Sequence, residues 1–98
     1  MDVETAVRCN IPVLTIVMNN GLMGGYGEYM PRAVERYDAH RMSGDYAAVG
    51  AALGAYSERV ADAADLRAAI SRCANAVESG RTALLEVMTH EEPELALG

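Results

Sequence analysis

The sequence predicts an α/β domain, with a mostly parallel sheet in the middle of three layers and helices on both of its faces. Three observations predict it. Segments of strand length alternate with segments of helical spacing, in the order helix, strand, long loop, helix, strand, helix, strand, and such alternation requires crossover connections. The apolar runs at residues 13–18 and 82–89 lack clean alternation, as strands covered on both faces do. Leu66, Ile70, Cys73 and Val77 recur at helical spacing just before the second of these runs.

Element by element, Val3, Ala6, Val7 and Cys9 line one face of a short helix ending near Asn10, and Pro12 marks the break before an extended segment. Residues 13–18 (Val-Leu-Thr-Ile-Val-Met) are β-branched and apolar and are expected to form a central strand. From residue 19 to about residue 41 the character changes. Gly21, Gly24, Gly25 and Gly27 interleave with Tyr26, Tyr29 and Met30, which predicts a long loop with one helical turn around residues 33–37. Loops of this length in a compact domain are often functional. Ser43, Gly44 and Asp45 offer capping groups for a helix through Tyr46, Val49 and Leu53, closed by Gly54. Residues 56–60 read as a short strand. Asp62, with Asp65 three residues on, caps the helix that runs to Gly80, and residues 82–89 read as a last buried strand before a solvated tail, Glu91-Glu92-Pro93-Glu94. The pattern begins on a helix where an earlier strand is expected, consistent with an incomplete sheet: the C-terminal portion of a larger domain, with Met1 either an internal methionine or a boundary cut within a longer chain.

Composition narrows the function. Ninety-eight residues, 51% of them hydrophobic, suffice for one compact core. Eight basic against 14 acidic side chains give a net charge of −6, which disfavours nucleic acid as a partner. The longest strongly apolar run, residues 11–18, contains Pro12 and Thr15 and is far shorter than the roughly 20 residues of a membrane span. The acidic, amphipathic start is not a secretory signal, so a cytoplasmic protein is expected. Cys9 and Cys73 belong to no CxxC or Cys/His cluster and read as reduced core thiols.

One motif carries chemistry. Asn19-Asn20-Gly21 follows the first strand immediately, and open α/β sheets bind ligands beyond the carboxyl ends of their strands. Alone, Asn-Gly is a common turn. The flanks are more specific: Glu4-Thr5-Ala6-Val7-Arg8, then Asn10-Ile11-Pro12, an apolar strand, and Met18-Asn19-Asn20-Gly21. This run resembles the second half of the motif of thiamine-diphosphate-dependent enzymes, in the group of acetolactate synthase, benzoylformate decarboxylase and pyruvate decarboxylase. The likeness continues through Ser43-Gly44-Asp45-Tyr46, Leu53-Gly54 and Glu78-Ser79-Gly80-Arg81 to Leu84-Leu85-Glu86-Val87, so nearly the whole chain is covered.

The resemblance implies that Asn20, by its side-chain oxygen, and Leu22, by its main-chain carbonyl, are ligands of Mg²⁺, and that Asn20, Gly21, Leu22, Met23 and Gly24 border the cofactor's diphosphate. Mg²⁺ is a hard ion that takes few protein oxygens and completes an octahedron with phosphate and water. The implied substrate is a small 2-oxo acid, cleaved or joined at a carbon–carbon bond, and the implied assembly is a homo-oligomer. Whether FAD sits elsewhere in the parent is left open. The chain also departs from the family pattern. A Gly-Asp-Gly turn belongs roughly 25 to 30 residues before the asparagine pair, and none occurs here; Gly44-Asp45-Tyr46 comes after the pair and lacks the second glycine. The glutamate that activates the aminopyrimidine belongs to another domain, and neither Glu4 nor Glu28 is that residue. The chain alone is therefore expected to be inactive.

Other residues read as structural. His40 and His90 stand on polar segments and are expected at the surface, as are Asp62, Asp65, Glu78 and Glu86 as caps and surface charges. No serine or cysteine has a positioned histidine and acid. Tyr26, Tyr29 and Met30 are read equally as substrate-pocket residues or loop anchors. The competing reading is a non-catalytic α/β module that self-associates through an exposed sheet edge, for which a clean monomer in size exclusion is the contrary observation.

Overall fold

The computed structural model describes residues 1–24 and 26–90, without the side chain of Tyr26. The expected tail at residues 91–94 lies outside them. Two compact units result among the described residues, residues 1–18 with 45–88, and residues 19–24 and 26–44 with Thr89 and His90. In chain order the elements are α1 (Asp2–Arg8), β1 (Leu14–Asn19), α2 (Tyr26–Tyr29), α3 (Pro31–Tyr37), α4 (Tyr46–Ala52), β2 (Tyr56–Val60), α5 (Ala63–Glu78) and β3 (Ala83–Met88).

The three strands form one sheet in the order β1-β3-β2. β2 and β3 run parallel, with Tyr56 opposite Ala83 and Val60 opposite Val87. Bonds from Ala83 N–H to the Val13 carbonyl and from Thr89 N–H to the Asn19 carbonyl show β1 and β3 advancing in the same direction. Alternation along β2 and β3 sorts their side chains onto two faces. Val60, Ala83 and Leu85 pack with Ala69 and Cys73 of α5 into the core, and Leu14, Tyr56 and Val87 join it. On the opposite face, Ser57 and Leu84 meet α4 at Gly50, where an added Cβ would sit 2.4 Å from Ser57 Oγ and 3.1 Å from Leu84 Cβ. Helices therefore cover both faces, and the expected α/β class with a parallel sheet holds.

The expected central position of the first strand does not hold among the described residues. β1 is an edge strand and β3 lies in the middle. Ile16 is 46% and Met18 67% exposed, whereas Ala83 through Glu86 are all buried. An apolar run signals a strand without fixing its rank in the sheet, because rank depends on pairings distant in sequence. The single turn expected at residues 33–37 is a longer helix starting at Pro31, which suits a first helical position because its missing N–H is not needed there. A further helical turn, α2, precedes it. In α5 the buried side chains are Ala69 and Cys73, while Ile70 is 39% exposed. Cys73 is a buried thiol as expected; Cys9 is exposed, since α1 ends at Arg8 and carries Cys9 past its packed face. No helix of the described residues is long and apolar enough to cross a membrane.

The three helices that precede strands end in one way. After α1, Asn10 N–H bonds to the Val7 carbonyl and Ile11 N–H to that of Ala6; the same pair of bonds recurs at Gly54 and Ala55 after α4, and at Gly80 and Arg81 after α5. Each turn needs a left-handed residue, with φ of 55° at Asn10, 97° at Gly54 and 96° at Gly80. Two helices begin on side-chain caps, Asp45 accepting from Ala48 N–H and Asp62 from Ala64 N–H.

A polar cluster at the edge of β2 makes stability depend on pH. Arg72 donates to both Glu58 oxygens at 2.8 Å, and Tyr56 donates its hydroxyl to the same carboxylate. The Arg72 hydrogen bonds hold Glu58 below the usual carboxylate range, against a smaller opposing push from burial. Burial, helped by Glu58's charge, raises the Cys73 thiol, and the bond to Glu58 raises Tyr56. A depressed carboxyl contributes stability above its unfolded value of about 4.3 that is lost as pH falls; the raised thiol and phenol contribute stability that is lost as pH rises past about 8.5 and 10. The urea midpoint is therefore expected to be level near neutrality and to fall on both sides. Glu58→Gln should flatten much of the acid limb; an unchanged acid limb in that variant would refute the assignment.

Candidate functional site

β1 ends at Asn19, and the next residues turn back on themselves through their own side chains. Asn19 Oδ1 accepts the Gly21 N–H at 2.9 Å, and Asn20 Oδ1 accepts the Leu22 N–H at 3.0 Å. These are successive Asx turns, in which a short amide replaces the main-chain acceptor of a β-turn. Gly21 makes the reversal possible with φ at 70°. The segment then pairs with residues 40–42: Met42 N–H bonds to the Gly21 carbonyl at 2.8 Å and Met23 N–H to the His40 carbonyl at 2.7 Å, around an antiparallel bridge of Leu22 with Arg41. Neither bond of that bridge uses the Leu22 carbonyl. In this pairing the central residue's own N–H and C=O point away from the partner segment, toward the side on which Asn20 Oδ1 meets the Leu22 N–H.

The Asn20 oxygen and the Leu22 carbonyl are thus held close in sequence and on one side of the backbone. An amide oxygen has two lone pairs, so the bond to Leu22 N–H leaves Asn20 a further acceptor direction. The donor chemistry, two neutral oxygens, fits a hard cation such as Mg²⁺ that draws most of its ligands from phosphate and water. Asn20, Met23 and Gly24 are exposed and Gly21 and Leu22 half-buried. Among the described residues no three His, Cys, Asp or Glu side chains gather to hold a metal without help.

Around this turn the structure corrects several expectations. His40, expected at the surface, keeps only 19% of its side chain exposed, because its main chain pairs with Met23 and draws it into the hairpin. Its Nδ1 lies 3.6 Å from Asp38 Oδ1, and Arg41 Nε bonds Asp38 Oδ2 at 2.6 Å. Nothing in the sequence spacing couples residues 40–42 to residues 21–23, so this half of the hairpin was not legible. Tyr29 is 81% and Met30 42% exposed, so Tyr29 is no loop anchor. Gly25 and the Tyr26 side chain lie outside the described residues. Glu4 pairs with Arg8 along α1.

Glu86 is the largest departure. It was expected as a surface charge but is fully buried. Its Oε1 accepts the Ala47 N–H at 3.0 Å and Arg59 Nε at 3.1 Å, and this bond is the main cause raising the Arg59 guanidinium above its ordinary range. A charge inside the apolar run Leu84-Leu85-Glu86-Val87, with Arg59 inside the neighbouring strand, was the signal available for it.

The family model described as the thiamine pyrophosphate enzyme, C-terminal TPP binding domain, matches residues 1–87. That span holds α1, the asparagine turn, the hairpin and all three strands except the last residue of β3. The chain belongs to the family of C-terminal thiamine-pyrophosphate-binding domains of thiamine pyrophosphate enzymes.

Proposed function

We propose that the chain supplies the diphosphate side of a thiamine diphosphate site in an enzyme of the acetolactate synthase, benzoylformate decarboxylase and pyruvate decarboxylase group, acting on 2-oxo acids. The observation that carries this reading is the paired Asx turn, which holds the Asn20 oxygen beside Leu22 at the end of a parallel strand. Asn20 Oδ1 and the Leu22 carbonyl would hold Mg²⁺, and residues 21–24 would border the diphosphate. When bound, thiamine diphosphate supplies the carbanion-stabilising chemistry, while the protein binds and orients it. The residues of this chain do the binding and contribute no acid or base. The aspartate of a Gly-Asp-Gly turn and the activating glutamate would come from other segments, as would most of the substrate pocket, in a homo-oligomeric, cytoplasmic enzyme. The domain thus corresponds to the C-terminal part of the diphosphate-binding domain.

Calorimetric titration with Mg²⁺ and thiamine diphosphate tests the reading, with the chain alone and after adding an upstream half that carries Gly-Asp-Gly. Asn20→Ala is expected to weaken Mg²⁺-dependent binding by at least about tenfold, or about 1.4 kcal/mol, with unchanged circular dichroism. Absence of binding even with the upstream half present would sink it.

A further inference from the structure

Asp38 breaks two local rules at once. It ends α3 in the left-handed region, with φ at 54°, a conformation that favours glycine and strains an aspartate. It also places a negative charge at a helix C-terminus, against the helix dipole. Gly54 and Gly80 stand where α4 and α5 need the same handedness. A residue that departs from local preference in this way points to a use beyond its own helix.

The use is visible in its bonds, all within one compact unit. Asp38 N–H closes α3 on the Val34 carbonyl, and the Asp38 carbonyl accepts the Arg41 N–H, both at 3.0 Å. Its Oδ2 accepts Arg41 Nε at 2.6 Å. Its Oδ1 faces His40 Nδ1 at 3.6 Å, a buried nitrogen without a hydrogen bond among the described residues. Arg41 is thus gripped by main chain and side chain together, which restrains its rotation as well as its place. This is the residue opposite Leu22 in the antiparallel bridge. Along such a pair, successive residues alternate between facing the partner and facing away. With Leu22 opposite Arg41, the Gly21 carbonyl and the Met23 N–H carry the bonds, and the Leu22 carbonyl faces away. A slip of one residue would turn that carbonyl into the ladder.

We propose that Asp38 is a positioning residue that sets the register of residues 21–23 against 40–42 and so keeps the Leu22 carbonyl out of the ladder. That this carbonyl then serves Mg²⁺ rests on the function proposed above; the register does not.

NMR on the 98-residue chain reads the register directly, because the Leu22 and Arg41 Cα atoms of such a pair lie about 4.5 Å apart and their Hα protons give a strong cross-relaxation peak. Asp38→Asn tolerates the left-handed φ and removes the charge; Asp38→Gly keeps the handedness and removes the side chain. The two side chains of the ion pair are 54% and 63% exposed, so water screens it and the effect is a few-fold. In both variants the Met23 and Met42 amides are expected to exchange about three to five times faster, with the Leu22–Arg41 peak weakened and the amide of residue 38 still protected. An unchanged peak and unchanged Met23 and Met42 rates in both would overturn the proposal, since a capping role alone would show only in α3. Should either variant lose protection at residue 38, Arg41→Met, which removes the same ion pair from its other end and leaves α3 alone, decides by the same two readouts. Joined by an upstream half that carries Gly-Asp-Gly, Asp38→Gly is expected to weaken Mg²⁺-dependent thiamine diphosphate binding by a similar factor. A shifted register with full binding would overturn the link from register to site. No binding by the unaltered chain would overturn the functional reading and leave the register result as it is.

Discussion

Leu85→Ala is expected to lower the unfolding free energy by about 2–5 kcal/mol, out of the roughly 5–15 kcal/mol that a domain of this size commands. Leu85 is fully buried on the middle strand and packs with Val60, Ala69 and Cys73. Its neighbours are Val60 of the adjacent strand and a helix whose core residues, Ala69 and Cys73, are already small. Neither can collapse far into the space left, so the cavity cost adds to the lost transfer free energy. Ile16→Ala is the internal control, a comparable side chain on the edge strand that is 46% exposed. Urea unfolding should show a much larger midpoint drop for Leu85→Ala, with similar slopes. Equal losses in the two variants would contradict the burial difference on which the expectation rests.

Gly21→Val is expected to weaken Mg²⁺-dependent thiamine diphosphate binding by at least roughly tenfold, while Gly21→Asn changes it little. Space is not the obstacle, since an added Cβ would lie 3.9 Å from the nearest atom, the Met42 carbonyl oxygen. The obstacle is the φ of 70°, which costs an L side chain about 1–2 kcal/mol and a β-branched one most, whereas asparagine tolerates it. Valine would relieve the strain by opening the turn. The bonds from Gly21 N–H to Asn19 Oδ1 and from Met42 N–H to the Gly21 carbonyl would open with it. Titration of both variants decides: losses of equal size would show that bulk, not handedness, governs the position.

What the sequence made legible was set by local rules. The strand at residues 56–60, the caps at Asp45 and Asp62, and the helix ends at Gly54 and Gly80 follow from neighbours within a turn or two, and they appear where expected. The asparagine pair was legible as a turn from its own residues, whereas its reading as a ligand site came from the resemblance that its flanks carry. What escaped depends on partners far along the chain. The rank of β1 in the sheet is decided by β3, about 70 residues later. The burial of Glu86 depends on Arg59 and on the N-terminus of α4, 27 and 39 residues away. The drawing-in of His40 depends on a bridge between Leu22 and Arg41 that no periodicity announces.

The turns through which the chain enters each strand differ in kind from the groups used where strands end. Entry after α1, α4 and α5 relies on main-chain bonds and one left-handed residue, at Asn10, Gly54 and Gly80. Where β1 and β2 end, individual oxygens of Asn19 and Asp62 are each committed to a named donor, the Gly21 and Ala64 N–H groups. Substitutions should therefore accumulate unevenly during divergence. The entry turns are held to backbone handedness, met by asparagine once and by glycine twice, while the exits are held to particular side-chain oxygens.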